Sequence, residues 1–181
     1  MGARQGRAEA GTGMDTLETR GVEGETKMAL MDVAMSGGRG GAGAGSEARM
    51  AWALAVLRVI AGIVFVAHGS QKLFGWGLAG VIGGFQGMGI PLPVITAPAV
   101  SFLEFFGGIA LVAGLFTRPI AAGLAVVMLG ATLLVHLSAG FFAPNGIEFT
   151  LVLFGVSVAL ALLGAGAYSV DGMLARRRSA G

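Results

Sequence analysis

Arg58, His68, Lys72, Glu104, His136 and Glu148 stand in or beside apolar stretches that should carry almost no charge. His68 and Glu104 are the pair suited to catalysis, since a histidine beside a carboxylate can take up and pass on a proton near neutral pH. Lys72, His136, Glu148 and Arg58 are suited to binding, as donors or acceptors to a polar head. Donors to a carbonyl, next to a histidine that moves protons, are what quinone chemistry requires. A plainer account competes for each residue. Glu104 and a basic partner can be a neutralised pair that fixes helix register, because a lone charge near the bilayer centre costs about 3–10 kcal/mol. Arg58 and Lys72 can snorkel to the interface, and His136 can be an ordinary interfacial residue. The two histidines could also serve as axial haem ligands, although two of similar depth arise easily by chance.

These residues are positioned by four apolar runs, Ala51–Leu73, Thr96–Leu115, Ile120–Phe141 and Phe149–Tyr168. Each approaches the roughly 20 residues that a helix needs to cross a hydrocarbon core about 30 Å thick. The fold expected is an all-α membrane protein, an antiparallel bundle of four transmembrane helices behind a disordered N-terminal tail. At 100° per residue, Arg58, Gly62, Phe65, Gly69 and Lys72 share one face of span one, with His68 at its edge. Counting rise per residue puts His68, Lys72, Glu104, His136 and Glu148 in the outer half, and Arg58, Arg118 and Asp171 at the inner side. Helical side chains lean toward their N-terminus, which carries Glu104 toward Lys72 and His68 rather than toward Arg58. A short surface helix is expected at Leu78–Met88, with Thr96 as N-cap of span two and Pro98 in its first turn. Gly62, Gly69, Gly107, Gly108, Gly114, Gly123, Gly130 and Gly155 are expected to let the helices pack closely.

Composition agrees with a membrane protein: 55% of residues are hydrophobic and 12% charged, with a mean hydropathy of +0.80. Residues 1–49 hold 13 of the 22 charges and a Gly/Ala run at 37–45, so they are read as a disordered cytoplasmic tail. Met14, Met28, Met31, Met35 and Met50 each offer a later start. Residues 50–173 form the membrane domain and 174–181 a basic cytoplasmic C-terminus. There is no cysteine, which removes disulfides, thiolate metal sites and dithiol chemistry. No metal site is expected, and no intrinsic cofactor; a quinone is the one candidate. Basic residues sit near helix ends without interleaved aromatics, so nucleic acid is not an expected partner. Arg49, Arg118 and Arg176–Arg178 fall on one side against Lys72 on the other, which predicts both termini in the cytoplasm.

The string Arg58…His68-Gly69-Ser70-Gln71-Lys72-Leu73-Phe74-Gly75 resembles the first span of the DoxX family of small four-helix membrane proteins. Gly87-Met88-Gly89-Ile90-Pro91, Glu104-Phe105-Phe106-Gly107-Gly108, Leu111–Arg118 and Tyr168-Ser169-Val170-Asp171 are similar to its later motifs, in order. Gly164-Ala165-Gly166 stands where Gly-Pro-Gly is usual, and Ala167 where an Arg often follows. The resemblance implies a multi-pass protein of the plasma (inner) membrane with a loose redox association. The expected role is the small membrane subunit of a quinone-linked oxidoreductase complex, working with a soluble redox subunit. The alternative is a non-catalytic membrane scaffold or assembly factor. A homo-oligomer is compatible with either.

Overall fold

Apolar runs can satisfy their backbone in lipid by forming helices. In the computed structural model, which describes residues 12–179 and Gly181, all regular structure among the described residues is helical. Between residues 12 and 44, side chains are described only at Lys27, Met28, Leu30 and Met31. Helix α1 runs Thr12–Ser70 and continues as a π-helical turn, Gln71–Trp76, into α2, Gly77–Gly87. Then come α3, Pro93–Ala113, and α4, Thr117–Gly130, which passes through a second π-helical turn, Ala131–His136, and a 3-10 turn, Leu137–Ala139. Helices α5, Glu148–Leu163, and α6, Val170–Ser179, complete the chain.

Among the described residues, three helical stretches are long and apolar enough to cross a membrane: Gly45–Gly87, Pro93–Ala113 and Thr117–Ala139. Apolar α5 is shorter at 16 residues. The expected disorder of the tail concerns residues 1–11, outside the described ones, and residues 12–48, which are helical here. A helix closes its own hydrogen bonds, and the Ala, Met, Glu and Lys of this segment are good helix formers. Lys27, Met28, Leu30, Met31, Ser46, Glu47 and Ala48 are exposed there, and Met1–Ala48 forms a contact unit separate from Arg49–Gly181.

Several boundaries differ from expectation for identifiable reasons. Helix α3 starts at Pro93, whose fixed φ suits a first helical position, so Pro98 lies inside the helix. Thr96 is no N-cap: its hydroxyl donates back to the carbonyls of Pro91 and Leu92, both at 3.0 Å. The last apolar run does not stay helical to Tyr168. Gly164 and Gly166 take positive φ of 84° and 75°, and the chain from there to Ser169 is irregular.

Phe65 of α1, Leu111 of α3, Leu124 of α4 and Leu160 of α5 are fully buried, with Ala61, Ala121 and Leu153 around them. Close approach sets the α1–α3 contact. A Cβ on Gly62 would lie 2.8 Å from the Gly108 carbonyl oxygen, and one on Gly108 would lie 2.7 Å from the Val66 nitrogen. Gly69 rests on the Phe105 backbone. Gly107 and Gly123 do the same less tightly between α3 and α4, against Ile120 and Leu103 at 3.1 Å. Gly130 and Gly155 correct the expectation: a Cβ there meets nothing within 4 Å, so neither mediates packing.

Candidate functional site

Where Gly69 lets α1 touch the Phe105 backbone, the next residues of both helices are brought together. Glu104 is buried on α3, and Lys72 lies one turn beyond Gly69 in the first π-helical segment. Their side chains form an ion pair, Lys72 Nζ to Glu104 Oε2 at 2.5 Å. Lys72 is one of the two partners, with His68, that the side-chain lean favours over Arg58, and Arg58 takes no part in the pair.

Lys72, Glu104, His68 and His136 all line one cavity of about 460 Å³. Both π-helical turns contribute to its wall, the first with Lys72 and Trp76, the second with Leu134, Val135 and His136. A π turn inserts a residue into the helical phase and re-aims the side chains that follow, and such turns are frequent at functional sites. Apart from Thr96, the remaining wall is apolar and includes Phe85, Met88 and Ile90, from α2 and the segment after it. Gly130 also lines the cavity and leaves room in it. At the edge, the His68 ring tilts against Phe149, centroids 5.6 Å apart. His136 Nδ1 lies 2.8 Å from the Asn145 carbonyl oxygen. A carbonyl can only accept, so Nδ1 carries the hydrogen, and in the neutral ring Nε2 is the acceptor.

Chemically, the cavity offers an ammonium donor, a carboxylate and two imidazoles against walls suited to a lipid-soluble molecule. Among the described residues, no three His, Cys, Asp or Glu side chains are grouped to hold a metal ion.

Glu148 and Arg58, the other two candidates, lie elsewhere. Glu148 Oε1 accepts the Ala143 N–H at 2.8 Å and ties down the loop before α5. Arg58 does not snorkel. It is 3% exposed and donates from Nη1 to the carbonyls of Leu111 (2.7 Å) and Val112 (2.5 Å), and from Nη2 to that of Tyr168 (2.8 Å). The Leu111 carbonyl also accepts the Gly114 N–H at 3.0 Å, but carbonyls at a helix C-terminus are short of donors and carry the negative end of its dipole, so a cation there gains hydrogen bonds that the interface would not improve. Gly114, with φ of 71°, leaves the space that the guanidinium fills: a Cβ there would lie 2.7 Å from Arg58 Nη1.

Sequence reasoning placed Asp171 at this end without a role. Its carboxylate accepts the N–H groups of Phe116 and Thr117, both at 3.0 Å, and so caps α4. Phe116 holds a positive φ of 48° at that cap. Reasoning from sequence also missed Trp76, Phe85 and Met88 as cavity wall. The signal was available in the uncharged, Gly-rich stretch between Gly75 and Pro93 with its one Trp.

The sequence model of the DoxX family matches residues 53–137, a range that holds His68, Lys72, Glu104 and His136. The chain is 35% identical over 116 residues to the Bacillus subtilis protein named "Putative oxidoreductase CatD", covering 64% of this chain and 82% of that one. It is 28% identical over 124 residues to the Escherichia coli inner membrane protein YphA, covering 65% of this chain and 87% of that one. For the Escherichia coli inner membrane protein YqjF the identity is 34% over 126 residues, covering 67% and 92%. No solved structure matches the chain.

Proposed function

This chain belongs to the DoxX family of membrane proteins, and from that premise we propose that it is the small membrane subunit of a quinone-linked oxidoreductase complex. The observation that carries the proposal is the convergence of His68, Lys72, Glu104 and His136 on one largely apolar cavity. Lys72 donates to a quinone carbonyl. Glu104 and His68 relay the two protons that a two-electron reduction takes up from water, and a redox group of a soluble partner subunit supplies the electrons. The chain has no cysteine to carry them. The name given to CatD supports this reading at the level of reaction class.

The architecture proposed with it is an antiparallel four-helix bundle in the inner membrane, both termini cytoplasmic. Support comes from contacts in opposite order along neighbouring helices. Gly62 meets Val112 while Gly69 meets Phe105. Arg118 meets Gly164 while Thr132 bonds Thr150 at 2.9 Å.

One observation favours the scaffold reading instead: Lys72 and Glu104 satisfy each other and need no ligand. Affinity purification from native membranes, followed by a quinone-reduction assay on the captured complex, separates the two. Capture of a soluble redox subunit, with reduction lost in His68→Gln, is the expected result. Reduction unchanged in both His68→Gln and Glu104→Gln would leave a scaffold.

A further inference from the structure

The end of the molecule that carries Arg58 has its own recess, of about 320 Å³, lined by Arg58, Tyr168, Met173 and Arg176 together with the end of α3. Among the described residues lining it there are two arginines and no acid. The nearest carboxylate of the network, Asp171, spends both oxygens on the N–H groups of Phe116 and Thr117. Arg58 uses its two Nη atoms on carbonyls, and its buried Nε has no partner. Arg176 is exposed and donates once, to the Ala167 carbonyl at 3.1 Å. Asp171 stands outside the lining and offsets part of the Arg58 charge, whereas Arg176 pairs with no carboxylate among the described residues, so the recess is a positive basin with no acid in its own wall.

A second feature begins where the recess ends. A groove of about 540 Å³ lies between α1 and α3, lined only by Ile63, Val66, Ala67, Ile109, Val112 and Ala113. Val112 and Ala113 belong to both. The groove leads away from the arginines, from residue 113 back to 109 on α3 and up to 67 on α1. Its floor is narrow because Gly62 and Gly108 bring the two backbones together. A positive recess continuous with a purely aliphatic groove has the shape and polarity of one amphiphile, anionic at one end.

We propose that the recess and groove hold a single anionic phospholipid, its phosphate against Arg176 in front of buried Arg58 and one acyl chain along the α1–α3 groove. Any acyl chain can lie in an apolar groove, so the groove alone selects nothing; the arginines select the charge of the head. Basic residues at a membrane surface favour anionic lipids in this way. The phosphate supplies the counter-charge that the lining lacks.

The test uses the full chain in detergent, relipidated with phosphatidylglycerol, with phosphatidylcholine, or given free glycerol 3-phosphate. Native mass spectrometry counts retained lipid and thermal melting reads stabilisation. One phosphatidylglycerol per chain should be retained and raise Tm, and phosphatidylcholine should do neither. Arg176→Gln, on an exposed position that does not endanger folding, should weaken phosphatidylglycerol binding about fivefold. Ala67→Phe should weaken it by filling the groove, while Arg178→Gln leaves it unchanged. Equal retention of the two lipids, or equal loss in Arg178→Gln and Arg176→Gln, would reduce the effect to general attraction and overturn the proposal. Stabilisation by glycerol 3-phosphate equal to that by the lipid would make this a small-anion site and overturn it as well.

Discussion

Glu104 concentrates the question of what the cavity is for, because its pairing with Lys72 serves a structural and a chemical role equally well. Breaking a buried pair by removing one partner strands the other charge, at a cost of about 3–5 kcal/mol. Lys72 is not fully sealed in: its side chain is 14% exposed against 4% for Glu104. Glu104→Gln keeps a hydrogen-bond acceptor for Lys72 and removes only the charge and the proton site. It is therefore expected to abolish quinone reduction while costing less stability than that range, as read by detergent melting beside a reduction assay. A full-sized loss of stability that Lys72→Met restores, with quinone reduction intact, would make the pair purely structural. That Glu104 turns to Lys72 or His68 and away from Arg58 was legible in the sequence, since depth and side-chain lean are properties of a helix alone; the choice of Lys72 was not. The burial of Arg58 was not, because nothing in the sequence says that the last carbonyls of α3 come to lie beside residue 58.

At the scale of elements, glycine spacing proved informative only where two backbones meet. Eight glycines looked alike as packing residues in the sequence. Gly62, Gly69 and Gly108 touch a neighbouring backbone, whereas Gly130 faces the cavity and Gly155 meets nothing. A periodicity of 3.6 also cannot reveal a π turn, so the phase shift that re-aims Lys72 and His136 was invisible. The contrast gives a paired prediction. Gly69→Val drives side-chain atoms into the Phe105 backbone and should cost about 1–3 kcal/mol by overpacking, with the Lys72–Glu104 pair loosened. Gly130→Leu projects into open space and should change stability by no more than about 0.5 kcal/mol, yet occupy the cavity and block ligand entry. Melting curves for both, with quinone titration of the second, decide it. A Gly130→Leu protein that still binds quinone at the native level would place the ligand elsewhere.

For the whole molecule, the open structural question is whether α5 completes a fourth crossing. Its 16 helical residues cover about 24 Å, short of a hydrocarbon core of about 30 Å. Irregular backbone is tolerated at membrane depth only where protein covers its polar groups. The segment after Gly164 meets that condition. The Tyr168 carbonyl takes Arg58, the Gly166 carbonyl takes the Ser169 hydroxyl at 2.6 Å, and the Asp171 N–H donates to the Gly114 carbonyl at 2.9 Å. Residues 164–169 can thus finish the crossing that the helix begins. The charge asymmetry points the same way and is sharper than the sequence alone suggested. Lys72, the one basic residue at the far side, is neutralised by Glu104, whereas Arg118 and Arg176–Arg178 pair with no carboxylate among the described residues. With four crossings, the loop after α4 and the C-terminal helix lie on opposite sides of the membrane. A cysteine replacing Ser138 should react with an impermeant thiol reagent added outside intact cells, and one replacing Ser179 should react only after the cells are opened. Labelling of both from the same side would mean that α5 does not cross, and the reverse pattern would invert the orientation.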